Sequence, residues 1–147
     1  MGDMGKEQFV GTWKLISFEF RRSDGAVSYP LGQNPAGLIV YTAQGHMSGH
    51  VMRRDRPAFV SGDPLQGSAE EIRTAFGGYM AYCGTYDVDD QRRTIAHILE
   101  CSLFPNWVGT VQTRFFEFSE HRLLLMTPPL MLDGQQQIVH ALWERMT

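Results

Sequence analysis

Short runs rich in aromatic and β-branched residues recur along the whole chain, and clusters of Gly, Pro, Asn and Asp separate them. That period limits the chain to β-strands joined by turns, with helix as the exception. Strands are expected at about Phe9 to Arg22, Gly37 to Thr42, His46 to Arg54, Tyr82 to Val88, Thr94 to Phe104, Thr110 to Ser119, Arg122 to Thr127 and Ile138 to Met146. Turn chemistry supports the cuts at Ala43-Gln44-Gly45, Asp89-Asp90-Gln91, Ser119-Glu120-His121 and Asp133-Gly134. The stretch from 55 to 81 breaks the meander. Its Pro57, Gly62, Pro64 and Gly67 precede Ser68, which with Glu71 has the form of a capping box, and Ile72, Ala75, Phe76 and Tyr79 follow at helical spacing. One short helix is therefore predicted between the third and fourth strands, covering the sheet or a barrel mouth.

Eight mostly antiparallel strands, several of them long, leave fewer exposed edges when the sheet curls and closes. The fold class is all-β, an eight-stranded mostly antiparallel barrel, with a two-sheet sandwich as the competing arrangement. A barrel of this size is either filled by side chains or holds one small ligand.

Composition enters as a set of exclusions. The 147 residues suit one domain, residues 1–147, and 43% hydrophobic with 20% charged residues suits a folded core. A formal net charge of -3 offers no basic excess for phosphates, so nucleic acid is not expected as a partner. No apolar run reaches the roughly 18 residues of a spanning helix. The start from Met1 to Lys6 lacks the apolar core of a signal peptide, and Lys6 stands where a myristoylation signal after Gly2 needs Ser or Thr. No membrane association and a cytoplasmic location are the expectation, with Cys83 and Cys101 as reduced thiols.

The residues also carry a family resemblance. Gly11-Thr12-Trp13-Lys14-Leu15 is similar to the Gly-x-Trp opening of lipocalin-type barrels. It is followed in order by the segment Gly37 to Ser48, by Gly84-Thr85-Tyr86-Asp87-Val88, and by the segment Phe104 to Arg114 with Pro105-Asn106-Trp107 at its head. Together, from about Phe9 to Arg145, these resemble the bacterial and fungal lipocalin-like domain family. The resemblance implies a small-molecule pocket in a lipocalin-like barrel, with some relatives in natural-product biosynthesis. It also implies that Arg145 crosses Trp13 as a structural clasp.

Strong catalytic signatures are missing from the sequence: it has no phosphate loop, dinucleotide fingerprint, His-Glu-x-x-His or Cys-x-x-Cys. No cofactor is expected. Gly45-His46-Met47-Ser48-Gly49 misses the nucleophile-elbow spacing. On a strand His46 and His50 stand about 13 Å apart, too far for one ion, so no metal site is expected.

The most informative segment is the hairpin of Thr94 to Phe104 with Thr110 to Ser119, whose faces are all partly apolar. A loop centred on Trp107 would set Glu100 opposite Arg114 and Ser102 opposite Gln112, giving a lumen its few fixed polar groups. A plain cross-strand ion pair explains Glu100 and Arg114 equally well. His97, among Ile95, Leu99 and Cys101, reads as buried, either as an acid or base or as a satisfied core histidine. Glu19 shares parity with Trp13, Leu15 and Ser17, which places it in the lumen as a second acid or base if no bulge intervenes. The other reading turns Phe18 and Phe20 inward and Glu19 outward. Tyr41, Tyr86, Trp107 and Trp143 suit stacking on a flat ligand, or plain core packing.

Three functions remain. The first is binding of a small, largely apolar molecule of aromatic or polyketide type, oriented by Arg114 and Glu100. The second is cofactor-independent isomerisation, cyclisation or dehydration in secondary-metabolite biosynthesis, with His97 or Glu19 as acid or base. The third is a scaffold with a filled barrel that forms a homodimer through its outer apolar faces. An open cavity holding at least two of Glu19, His97 and Arg114 favours the first two.

Overall fold

A computed structural model describes residues 3–146, with side chains from Gly5 onward. Met1 and Gly2, on which the readings about a leader and lipidation partly rest, lie outside the described residues. The chain runs α1 (Asp3–Phe9), β1 (Gly11–Arg22), β2 (Val27–Ser28), β3 (Ala36–Tyr41), β4 (His46–Met52), α2 (Ala69–Gly77), β5 (Tyr79–Asp89), β6 (Thr94–Ser102), β7 (Val111–Ser119), β8 (Arg122–Met126), β9 (Leu130–Leu132) and β10 (Gln135–Arg145). Consecutive members of the series β1, β3, β4, β5, β6, β7, β8 and β10 pair antiparallel. Pairing of β10 with β1, including Trp13 with Arg145 and Phe20 with Val139, closes the ring. The eight expected strands are thus the eight staves of a closed barrel, and the sandwich is set aside. The short β2 and β9 extend the ends of β1 and β10.

The two ends of the barrel differ because their connections differ. Tight turns join the strands at one end, after β3, β5 and β7. The opposite end carries the long connections at 23–35, 53–78, 103–110 and 127–134. The short α1 was not foreseen, and it seals the tight end. Phe9 is 0% exposed and meets the rings of Tyr41, Phe116 and Phe118 edge-on at 5.1, 4.9 and 4.9 Å between centroids. Below it the guanidinium of Arg145 lies 4.2 Å from the Trp13 ring, and the Trp13 indole donates to the carbonyl of Phe9 at 2.9 Å. Arg145 also donates to the carbonyls of Val10 and Gln8. The clasp implied by the resemblance is therefore present, and it ties the last strand to the entry of the first.

Two bulges decide which side chains enter the barrel. In β1 the register slips between Leu15 and Ser17, so Ile16 is an extra residue and the alternation changes phase. Trp13 and Leu15 point inward before it, and Phe18 does so after it. Glu19 is turned out, where Arg21 holds it in an ion pair at 2.7 Å. The lumen position read from unbroken parity is thereby corrected. The second slip lies between Cys83 and Gly84, opposite Cys101 and Leu99, and it extrudes Glu100. Cys83 and Cys101 face each other across this pair as free thiols.

Gly84 is required at the second bulge, because a Cβ there would stand 1.9 Å from the carbonyl oxygen of Ile98. Relief needs backbone movement, not a side-chain rotation. Gly84→Ala is expected to cost about 2–3 kcal/mol, near the top of the usual overpacking range, read as a lowered urea midpoint at unchanged m-value.

The capping box is present: the Ser68 hydroxyl accepts from the Glu71 amide at 3.1 Å, and the Glu71 carboxylate accepts from the Ser68 amide at 2.8 Å. The expectation that this helix covers the sheet or the mouth does not hold. None of its residues is buried, and Ile72 and Phe76 remain about half exposed. It hangs beside the start of β5, held by Arg56, which donates to the Ala75 carbonyl at 3.1 Å and stacks on Tyr79. No helix among the described residues is long and apolar enough to cross a membrane.

Candidate functional site

Above the aromatic base the barrel is not filled. A cavity of about 80 Å3 runs from mid-barrel toward the end with long connections. A single water needs only about 10–15 Å3, so there is room for a small molecule. Phe18 and Phe20 of β1, Val51 of β4, Met80 of β5 and Val139 and Ala141 of β10 form apolar walls. Trp107, Leu130 and Leu132, on two of the long connections, stand around the mouth with His50. Trp107 is held there by a single 3-10 turn, Pro105–Trp107, in which proline occupies the first position.

The polar groups gather at the inner part of the cavity. His97 is 0% exposed, with its Nε2 2.7 Å from the Tyr41 hydroxyl and its Nδ1 2.9 Å from the Tyr82 hydroxyl. A neutral imidazole has one donor and one acceptor nitrogen, so one tyrosine donates to it and the other accepts from it. Burial first, and then the nearby Arg114 charge, push the His97 pKa down to about 3, which keeps the ring neutral at physiological pH. Burial likewise raises the Tyr41 hydroxyl well above the ordinary tyrosine range. Tyr41 lies behind His97, and Tyr82 reaches the cavity wall.

Arg114 and Trp143 complete the polar set. Arg114 is only 7% exposed and lines the cavity; its Nη1 donates to the Thr113 carbonyl at 3.0 Å. The ion pairs of the described residues lie elsewhere, on Arg21, Arg22, Arg53, Arg92 and Arg122. Trp143, 3% exposed and also lining the cavity, has a buried Nε1 donor with no partner among the described residues.

The expected site residues therefore separate. His97, Arg114, Trp107 and Trp143 line the cavity, and Tyr41 supports it from behind. Tyr86 belongs to the base, where its hydroxyl donates to the Thr42 carbonyl at 2.7 Å. Gln112 pairs with His97 across the strands, and its amide donates to the Thr110 hydroxyl at 2.9 Å. Glu100 does not meet Arg114. Ile95 stands opposite Arg114, five residues from the expected partner, and the bulge leaves Glu100 exposed. Tyr82 was missed, although it shares strand parity with Tyr86; Thr127, which accepts from the Val139 amide, carried no sequence signal. His46 is exposed on β4, and His50, exposed at the rim of the mouth, meets the Tyr79 hydroxyl at 2.7 Å. No group of three or more potential metal ligands occurs among the described residues.

Comparison with known proteins agrees with this architecture. The chain is 34% identical over 107 residues to the 4'-hydroxy-3'-methoxypropiophenone carrier protein of Aspergillus oryzae, covering 68% of this chain and 96% of that one. The lipocalin-like domain profile matches residues 10–146. A closed antiparallel barrel, the clasped Gly-x-Trp entry and a match over nearly the whole length have one conclusion: the chain belongs to the lipocalin-like domain family.

Proposed function

We propose that this protein binds and carries a small, largely apolar aromatic molecule of polyketide type inside its barrel, as a cytoplasmic participant in natural-product biosynthesis. The observation that carries the reading is the cavity itself, with apolar walls, a sealed base and a compact polar floor. Such a site gains affinity from its walls and orientation from its few polar groups. The carrier name of the Aspergillus oryzae relative supports an aryl ketone as the first ligand to try. The filled-barrel scaffold loses its premise, because the lumen is not filled.

The test is titration with 4'-hydroxy-3'-methoxypropiophenone and simpler aryl ketones, read by tryptophan fluorescence, since Trp143 and Trp107 line the cavity. Saturable quenching is expected in the native protein. Ala141→Leu, which puts side-chain volume into the cavity, is expected to weaken binding at least tenfold. An absence of saturable quenching with every aryl ketone, or equal affinity in the variant, overturns the reading.

The Tyr41–His97–Tyr82 chain favours a second reading, proton-transfer catalysis of isomerase, cyclase or dehydratase type. Both ring nitrogens of His97 are already engaged, so the imidazole would act only by passing a proton toward Tyr82. A carrier leaves exchange of the ketone's α-hydrogens with deuterated water at the rate set by buffer. Accelerated exchange that disappears in His97→Gln favours catalysis instead.

A further inference from the structure

We propose that the cavity takes its aromatic ligand as an oxyanion, a phenolate, enolate or carboxylate, with the negative oxygen set against Arg114 and within reach of the Trp143 indole. This rests on the small-molecule reading above and specifies the chemistry of the ligand's polar end.

The argument is one of unmatched charge and unmatched donors. Arg114 is more than nine-tenths buried, lines the cavity, and forms no ion pair with a carboxylate among the described residues. A buried cation without a counter-charge is costly, and an arginine is not relieved by losing its proton. Among the described residues, those lining the cavity include no Asp or Glu. Trp143 adds a buried donor that lacks an acceptor among the described residues. Indole and guanidinium donate and never accept, so a ligand that satisfies either must bring an acceptor, and the guanidinium calls for a negatively charged one. The guanidinium fork is the side chain best shaped for a planar delocalised oxyanion.

The other titratable groups around Arg114 do not supply that charge. His97 of β6 is neutral, and Tyr41 of β3, its hydroxyl on His97, is held protonated by burial. Tyr82 of β5 is engaged with His97, and His50 of β4 stands at the mouth with its ring nitrogen on Tyr79. From β1, β8 and β10 the cavity receives apolar side chains and Trp143, while Glu19 and Glu117 lie on the outward-facing sides of β1 and β7. The anion is left for the ligand to bring.

The experiment uses 4'-hydroxypropiophenone, whose phenol and phenolate forms absorb at different wavelengths, and 4'-methoxypropiophenone, which cannot ionise. Absorbance of the bound phenol is followed from pH 6.5 upward, where His97 is neutral. The half-ionisation point on the native protein is expected at least one pH unit below that of the free phenol, equivalent to at least tenfold tighter binding of the phenolate. Arg114→Met is expected to abolish that shift, and its near-ultraviolet circular dichroism and cooperative urea unfolding, like those of the native protein, show that the variant is folded. Arg114→Lys, which keeps the charge without the fork, is expected to restore part of the shift.

Ionisation at or above the free value on the native protein overturns the inference and leaves the carrier reading intact. A shift that persists in Arg114→Met overturns the assignment to Arg114. Failure of both ketones to bind overturns the carrier reading and this inference with it.

Discussion

Between pH 7 and pH 4 the folded barrel is expected to lose about 3 kcal/mol of stability through His97 alone. The sign follows from which state holds the proton. In the unfolded chain a histidine protonates near pH 6.5, whereas in the barrel His97 resists protonation until about pH 3. Across the window between those values the unfolded state binds a proton that the native state does not, so stability is full above pH 6.5 and falls as pH drops. Each pH unit in the window is worth about 1.4 kcal/mol. The measurement is a series of urea unfolding curves at fixed pH for the native protein and for His97→Leu with Tyr41→Phe. The second substitution matters because leucine alone would strand the buried Tyr41 hydroxyl, at about 1–3 kcal/mol. His140, also lowered by burial first, contributes in the same direction in both proteins and cancels in the difference. Equal pH slopes in the two proteins would mean that His97 titrates normally in the barrel.

Phe9→Ala is expected to destabilise the protein by about 3–5 kcal/mol, the usual cost of removing a fully buried phenylalanine. Phe9 is not on a barrel strand, yet three rings close around it and its carbonyl receives the Trp13 indole. Removing the ring opens a hole directly beneath Tyr41, and with it the layer that supports His97 from below. The loss is read as a lowered urea midpoint, together with faster amide exchange at the paired ends of β1 and β3. A cost below about 1 kcal/mol would show that α1 contributes little to the closed end.

The contrast between fold and site shows what a single sequence can carry. All eight staves were legible because alternation and turn chemistry are local, and so was α2, through Ser68 and Glu71. The interior was legible only where alternation ran unbroken. A strand's side chains alternate with period two, so any odd slip exchanges inside for outside. One extra residue at Ile16 turned Glu19 out and Phe18 in. In the β6–β7 hairpin the pairing differs by five residues from a loop centred on Trp107, again an odd number. It therefore brings Arg114 onto the face of His97 and Ile95 in place of the face of Glu100. Neither slip has a local signature, because both arise from how the staves must bend and stagger to close. The base was hidden for another reason. Residues 3–9 have neither strand alternation nor a helix long enough to declare itself, and only packing against Phe116 and Phe118 gives Phe9 its role.

The most direct test of the account is a crystal structure of the protein with a bound aryl ketone. The account expects the aromatic ring inside the barrel, walled by Phe20, Val51 and Met80 with Trp143 beneath, and its polar oxygen against Arg114. Ligand density confined to the outer face of the sheet, or a lumen closed by its own side chains, would contradict it.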